Sequence, residues 1–155
     1  MKNLIPLSFL LFLSCNTITN SENTKIIIEN KEEIYKIQTM LKAQKDCWNS
    51  GDIKGFMKGY WNSEELVFTS ATHKPAYGWK NTYKRYKESY PDKASMGKLS
   101  FKIIDIELLS DTTAELKGSW ELIRQDDHPQ GKFWLDLKKI KKNWVITKDS
   151  TISIL

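Results

Sequence analysis

Cysteine is scarce in this sequence, with only Cys15 and Cys47 among its 155 residues. Two cysteines exclude a disulfide framework, because they can form at most one bridge. Cys47 lies among apolar residues at helical spacing and has no histidine near it in the sequence. Because a catalytic thiol needs a neighbouring base, we expect Cys47 to be a small buried hydrophobic residue.

Histidine is equally scarce, and its two copies, His73 and His128, are far apart. They do not share the ligand spacing of a zinc site, so the sequence predicts no metal centre. Asp126 and Asp127 precede His128, which leaves weak cation binding at the surface as an alternative. The sequence also has no glycine-rich phosphate loop and no serine nucleophile elbow. We therefore expect no cofactor.

Charge of one sign is not concentrated in this chain. The formal net charge is +5, from 24 basic and 19 acidic residues that alternate along most of the sequence. A nucleic-acid-binding protein would show a clustered basic stripe, so this class is not expected. The densest basic segment, residues 138–142, lies between two apolar runs and is typical of a solvated hairpin tip. Contact with phosphate or lipid headgroups is the alternative.

The sequence has no apolar run of the about 20 residues that a membrane-spanning helix requires. Its longest apolar stretch, residues 4–13, follows Lys2 and precedes Ser14 and Cys15. This order is typical of a bacterial lipoprotein signal. We expect residues 1–14 to be a signal peptide, 15–29 a lipidated Cys15 with a polar tether, and 30–155 one domain. The protein would then be a membrane-anchored lipoprotein of the cell envelope. If Cys15 carries no lipid, a bridge to Cys47 is the alternative.

Helical periodicity dominates the first half of the expected domain. Asn30 is a plausible N-cap for a first helix that ends near Asn49, and residues 26–28 form either a short strand or its lead-in. Asp52 can cap a second, short helix that ends near Tyr60. A short strand over 66–68 and a loop over 73–78 follow. Pro91 stops a third helix, whose aromatic residues recur at helical spacing. The apolar stripes of the first and third helices consist of Ile34, Ile37, Leu41, Gln44 and Trp48, and of Trp79, Tyr83, Tyr86 and Tyr90.

The period changes to two after Gly97, which indicates strands. Apolar residues alternate up to Ile103 and then continue from Ile104 in the opposite phase, as one extra residue in a strand would cause. Three further alternating runs follow, separated by the polar loop 124–130 and by a lysine-rich turn. The order of elements predicts an α+β fold with an antiparallel sheet.

The segment Trp48-Asn49-Ser50-Gly51-Asp52 is the most telling of several short motifs. The others are Phe56, Tyr60-Trp61, Phe68, Gly78-Trp79, Tyr86, Tyr90-Pro91, Met96-Gly97, Gly118 with Trp120, Gly131 with Phe133, and Trp144-Val145-Ile146 with Asp149. With these motifs the chain resembles the nuclear transport factor 2-like superfamily, which includes the SnoaL-like and ketosteroid-isomerase-like groups, and in particular its secreted bacterial branch.

This resemblance implies a cone-shaped half-barrel, in which a curved, bulged antiparallel sheet wraps around three N-terminal helices. It also implies a cavity at the wide end of the cone, and a homodimer. The final strand of the secreted branch often carries Asp-His-Thr-Ser, whereas this chain has Asp149-Ser150-Thr151-Ile152. The missing imidazole argues against chemistry in which that histidine acts as an acid or base.

Aromatic residues supply the candidate ligand site. We expect Trp61, Trp79, Tyr86 and Trp120 to form the walls of the cavity, and Asp149 to be a polar anchor. Such a site would bind a small, largely apolar molecule.

Two alternatives remain for the expected cavity. Asp149, or more weakly Asp105, could move protons in an isomerase or dehydratase, because burial in an aromatic cone raises a carboxyl pKa. The chain could instead be a non-catalytic dimeric interaction module. The absence of a carboxylate pair favours binding over catalysis.

Overall fold

A six-stranded sheet and four helices make up residues 18–154, which are the residues described by the computed structural model. The helices are α1 (Ile18–Asn49), α2 (Ile53–Phe56), α3 (Trp79–Ser89) and α4 (Lys93–Met96), and a single 3₁₀ turn (Met57–Gly59) extends α2. The strands are β1 (Val67–Ser70), β2 (His73–Tyr77), β3 (Lys98–Ser110), β4 (Thr113–Ile123), β5 (Gln130–Ile140) and β6 (Asn143–Ile154). The predicted signal peptide and the lipidation site at Cys15 lie outside the described residues.

The sheet is curved and does not close, with the strand order β2-β1-β6-β5-β4-β3. All neighbours are antiparallel except β1 and β6, which run parallel. The expected all-antiparallel pairing is therefore wrong at this one junction. Parallel neighbours need a long crossover, and here the crossover contains α3, α4 and the four strands β2, β3, β4 and β5. The α+β class and the cone-shaped architecture are confirmed.

The predicted β-bulge is present in β3. Ile103 pairs with Gly118 and Asp105 pairs with Lys117, so Ile104 is the extra residue. The Ile104 side chain is 61% exposed, whereas Ile103 and Ile106 pack against the core. A bulge of this kind bends and twists its strand, which lets the long hairpin of β3 and β4 curve around the helices.

Helix α1 starts earlier than the sequence pattern indicated. The predicted N-cap at Asn30 is wrong, because residues 18–29 are already helical, and the isoleucines at 26–28 belong to the helix and not to a strand. Lys25 lies 3.9 Å from Glu29 one turn later, a spacing that supports a helix in this polar segment. The side chains of residues 24–30 are exposed, so the segment shows no apolar stripe from which its helix could be predicted. None of the helices in the described range is both long and apolar enough to cross a bilayer.

Strand β2 occupies the segment that the sequence pattern assigned to a loop. Pro75 disfavours a central strand, but β2 is an edge strand, where a residue without an N–H group is tolerated. Only Ala76 of its five residues is buried. The predicted turn between β5 and β6 is confirmed, and Lys141 and Lys142 both have positive φ angles of 48° and 71°. Two such residues are typical of a tight type I′ hairpin.

The hydrophobic core lies between the helices and the concave face of the sheet. It includes Ile37, Leu41 and Trp48 from α1, Phe56 from α2, and Leu116, Phe133, Leu135, Leu137 and Ile146 from the sheet. Cys47 is partly buried and packs against this core, and its alternative partner, Cys15, lies outside the described residues.

Glu33 on α1 forms polar contacts with the hairpin of β5 and β6. Its carboxylate accepts a hydrogen bond from Trp144 Nε1 at 2.7 Å and pairs with Lys139 Nζ at 2.8 Å and Lys36 Nζ at 3.0 Å. Burial acts to raise the pKa of Glu33, but these hydrogen bonds outweigh it and lower the pKa from 4.5 to about 2. The folded state therefore stabilises the ionised form of Glu33.

We expect Glu33→Gln to lower the free energy of unfolding by about 1–2 kcal/mol at pH 7, since a hydrogen bond to a charged group contributes more than a neutral one. The folded-state pKa of Glu33 lies below the unfolded one. The stability difference between the two proteins is therefore complete above pH 4.5 and is lost as the pH falls toward 2. Urea denaturation at several pH values measures this difference. Glu32→Gln is the matched control, because the Glu32 side chain is 61% exposed and pairs with Lys36 at the surface of α1. Equal losses in the two variants would contradict this role of Glu33.

Candidate functional site

A cavity of about 260 Å³ lies inside the cone, between α1, α3 and the concave face of the sheet. Its interior is mostly apolar and aromatic, and the exposed side chains of Thr72, His73, Ser89 and Ser153 mark its mouth. The interior lining includes Leu41, Trp48, Phe56, Phe68, Leu99, Phe101, Trp120, Leu122, Phe133, Leu135 and Ile146. An apolar cavity of about 150 Å³ holds a benzene molecule. This cavity therefore has room for a larger apolar group, such as a two-ring system.

Tyr86 on α3 is the centre of the aromatic wall. Its ring contacts those of Phe56, Phe68 and Trp48, with centroid distances of 5.2, 5.5 and 6.0 Å, all edge-to-face. Trp48 Nε1 donates to the Met96 carbonyl oxygen at 3.0 Å, which fixes the indole against the wall. Edge-to-face packing restrains each ring by its neighbours, so the wall is preorganised.

Two glycines on the sheet allow the other wall to form. Gly118 pairs with Phe133 across β4 and β5, and Gly131 pairs with Trp120 across the same two strands. A Cβ atom at Gly118 would lie 2.4 Å from the Phe133 ring, and one at Gly131 would lie 2.7 Å from the Trp120 ring. The absence of these two side chains lets both rings lie close to the sheet, so they line the cavity without filling it.

The polar end of the cavity is built by three elements. Tyr60, which follows the 3₁₀ turn, donates from its hydroxyl to Asp149 Oδ2 on β6 at 2.6 Å. The Tyr86 hydroxyl lies 3.0 Å from the Tyr60 hydroxyl. Asp149 is 6% exposed, and its second oxygen, Oδ1, is buried and has no hydrogen-bond partner among residues 18–154. The Oδ2 atom is thus held in place by Tyr60, and Oδ1 is available to accept a hydrogen bond or, when protonated, to donate one.

Burial changes the acid–base properties of this polar end. Desolvation raises the pKa of Asp149 from 3.8 to about 7, although the Tyr60 hydrogen bond acts in the opposite direction. Burial also raises the pKa of both Tyr60 and Tyr86 well above 10. Near neutral pH the carboxyl is therefore half protonated while both phenols stay neutral donors. Such a group can take up or release a proton at the pH of the cell.

The structure brings together three of the five residues predicted for the cavity. Tyr86, Trp120 and Asp149 line it, and Trp120 Nε1 donates to Thr151 Oγ1 at 2.9 Å. Trp61 and Trp79 lie outside the lining. The Trp61 ring lies 5.9 Å from Lys138 Nζ.

The indole of Trp79 belongs to the packing of the helices. Its Nε1 donates to the Met57 carbonyl oxygen at 2.9 Å, and its ring stacks on Tyr83. Of the adjacent residues Tyr60 and Trp61, it is Tyr60 that faces the cavity.

Asp105, the weaker catalytic candidate, is exposed at the bulge and is not part of the lining. The alternative cation site at residues 126–128 is also not supported, because Asp127 forms a two-fold ion pair with Arg124 at 2.6 and 2.7 Å. No group of three metal-ligating side chains occurs within residues 18–154.

Trp48, Tyr60 and Arg85 are among the lining residues that the sequence analysis did not assign to the cavity. Trp48 was assigned to the apolar stripe of α1, and Tyr60 was not separated from Trp61. Arg85 on α3 also lines the cavity, and its Nη1 atom is buried without a hydrogen-bond partner in the described part of the chain. Its position immediately before the inward-facing Tyr86 is the only signal that the sequence offered.

The fold is shared with several solved structures. An NTF-2-like protein of unknown function from Shewanella oneidensis MR-1 is 42% identical, with a TM-score of 0.74, and the match covers 77% of this chain and 98% of that protein. No family model matches the sequence, and no curated protein matches it.

Two more distant structures share the fold alone. A ketosteroid isomerase-like protein from Erwinia carotovora atroseptica SCRI1043 is 16% identical, with a TM-score of 0.66 and coverage of 80% of this chain and 98% of that one. A domain of unknown function with a cystatin-like fold from Nostoc punctiforme PCC 73102 is 16% identical, with a TM-score of 0.65 and coverage of 77% and 75%.

We expect the Asp149 carboxyl to titrate near pH 7, which carbon-detected NMR of labelled aspartate measures, with Asp149→Asn identifying the signal. Tyr60→Phe should raise this pKa further, because the lost hydrogen bond lowers it. The folded-state pKa lies above the unfolded one, so ionisation of Asp149 destabilises the fold. Its contribution to stability is full below about pH 4 and is lost as the pH rises through 7. A signal that titrates near pH 4 would refute the buried carboxyl.

Proposed function

This chain belongs to the NTF-2-like family, and from the geometry of its cavity we propose that it binds a small, largely apolar molecule there. The observation that carries the proposal is a preorganised aromatic cavity whose polar end holds a carboxyl oxygen without a hydrogen-bond partner among the residues that the structure describes. Ligand sites typically combine apolar walls with a few convergent polar groups. A molecule of one or two rings with a hydroxyl or carbonyl group would satisfy both the walls and Asp149.

The two aromatic walls support binding because they leave a space between them. The rings of Trp48, Phe56 and Tyr86 pack edge-to-face on one side of this space. Phe101 and Phe133 meet on the other side, with ring centroids 5.5 Å apart. A side chain cluster serving only as a core would close to the packing density of a protein interior. Here about 260 Å³ stays open between the two groups of rings.

We expect the purified full-length protein to bind 2-naphthol, a neutral two-ring probe with one hydroxyl group, in isothermal titration calorimetry. Ser70→Trp, which places a large ring within the lining, should weaken this binding at least about 10-fold by occupying the cavity. Ser100→Trp is the matched control, because Ser100 is exposed on β3 and is not part of the lining. Absence of binding, or equal binding by both variants, would count against the proposal.

A second candidate is an acid–base enzyme that uses the same cavity. It is favoured by one observation, a buried Asp149 whose pKa of about 7 suits proton transfer and whose Oδ1 has no hydrogen-bond partner in the described range. The single O–H of Tyr60 is donated to Asp149, so Tyr86 is the phenol that would turn its hydroxyl to donate a hydrogen bond to a developing negative charge. Proton exchange at the carbon next to the carbonyl of 2-tetralone, followed by NMR in deuterated water, tests this role. Exchange no faster than in Asp149→Asn would leave binding as the function.

We also propose that the domain is anchored in the cell envelope by lipid on Cys15. Support comes only from the charged start, the short apolar core and the Ser14-Cys15 junction in the sequence. Cys15→Ala should move the protein from the membrane fraction to the soluble fraction of its bacterial host. An unchanged distribution would exclude the lipid anchor.

We further propose that two copies of the chain associate through the convex face of the sheet. Ile104, Trp134 and Ile152 are exposed on strands β3, β5 and β6, and Trp134 lies between the inward-facing Phe133 and Leu135. Exposed apolar residues on one face are typical of an interaction surface. Sedimentation at the mass of a single chain would exclude this dimer.

A further inference from the structure

We propose that the molecule bound in the cavity is an apolar acid, whose carboxylate pairs with Arg85 while its apolar body lies against the aromatic walls. This inference rests on the proposed binding function and adds the chemical class of the ligand. It follows from two buried polar atoms of lining residues, Arg85 Nη1 and Asp149 Oδ1, which have no hydrogen-bond partner within residues 18–154. One belongs to a permanent cation and the other to a carboxyl group.

Arg85 is held in place without being neutralised. Its Nη2 donates to the Lys74 carbonyl oxygen on β2 at 2.5 Å, and its Cζ lies 5.6 Å from the centre of the Phe68 ring. These two contacts fix the plane of the guanidinium, and they leave Nη1 of this lining residue buried without a hydrogen-bond partner among residues 18–154. A backbone carbonyl and an aromatic ring orient the group, but neither carries a negative charge.

No carboxylate of residues 18–154 forms an ion pair with Arg85. Glu88, one turn later on α3, lies 3.7 Å from Lys84 instead. Asp149 directs one oxygen to Tyr60 and does not contact the guanidinium. The positive charge of Arg85 is therefore available to a partner from outside the chain.

The chemistry of this position favours a single carboxylate over other anions. Burying a charged donor is unfavourable unless it is hydrogen-bonded, and guanidinium groups bind carboxylates with short, charge-assisted hydrogen bonds. Only one buried donor of Arg85 is free, and the mouth offers neutral polar side chains, Thr72 and Ser89 among them. A multiply charged group such as a phosphate would meet one cation and then aromatic walls, so an apolar monoanion fits best.

The test compares 2-naphthoate with its neutral methyl ester in isothermal titration calorimetry at pH 7.5, with the purified full-length protein. We expect the acid to bind on the order of 10-fold more tightly than the ester. Arg85→Met should abolish this preference while ester binding persists. Should the methionine variant fold poorly, Arg85→Gln replaces it, because glutamine keeps a donor for the Lys74 carbonyl oxygen. This variant should also lose the preference for the acid. Lys84→Met removes a neighbouring exposed lysine and should leave the preference unchanged.

The outcomes separate this inference from the proposed function. Equal binding of acid and ester in the unmodified protein would overturn the assignment of an acidic ligand, while apolar binding would stand. A preference for the acid that survives in both Arg85 variants would overturn the role of Arg85. If neither naphthalene compound nor 2-naphthol binds, the proposed function fails together with the inference.

Discussion

The hydrogen bond from the Tyr60 hydroxyl to the buried Asp149 carboxyl is the interaction on which the interior of this domain depends. It joins the end of the second helix to the last strand, two segments 89 residues apart in the sequence. A carboxyl group in an aromatic interior is tolerated only when it is neutral or hydrogen-bonded. The cavity meets this condition by satisfying one oxygen with Tyr60 and by raising the pKa of the group to about 7.

The hollow beside this carboxyl results from how large side chains are arranged on the sheet. Phe133 and Trp120 each lie over a glycine on the neighbouring strand, Gly118 and Gly131, in register. The bulge at Ile104 bends the adjoining hairpin of β3 and β4, so the concave face of the sheet curves around the helices. Rings that are flat against a curved sheet leave space in the middle, and the proposed ligand would replace the side chains that a solid core would have there.

Most of the architecture could be predicted because it follows from local patterns. The third helix and its stop at Pro91, the bulge and the lysine-rich turn are all visible in the spacing of apolar residues and turn formers. The start of α1 was missed, because its first turns expose every side chain described and therefore carry no periodicity. Strand β2 was missed, because its proline is acceptable only at an edge, and edge position is a property of the whole sheet.

The sequence by itself determined that the interior is rich in aromatic residues, that Tyr86, Trp120 and Asp149 are inward-facing candidates, and that the chain resembles the NTF-2-like fold. Only the tertiary structure decided that Trp61 and Trp79 lie outside the lining and that Arg85 lies within it. Periodicity reports which side of an element faces the core, but a cavity is a gap between several elements. A charged residue on a helix is normally solvated. The partial burial of Arg85 results from its contacts with β1 and β2, which the helix sequence alone does not indicate.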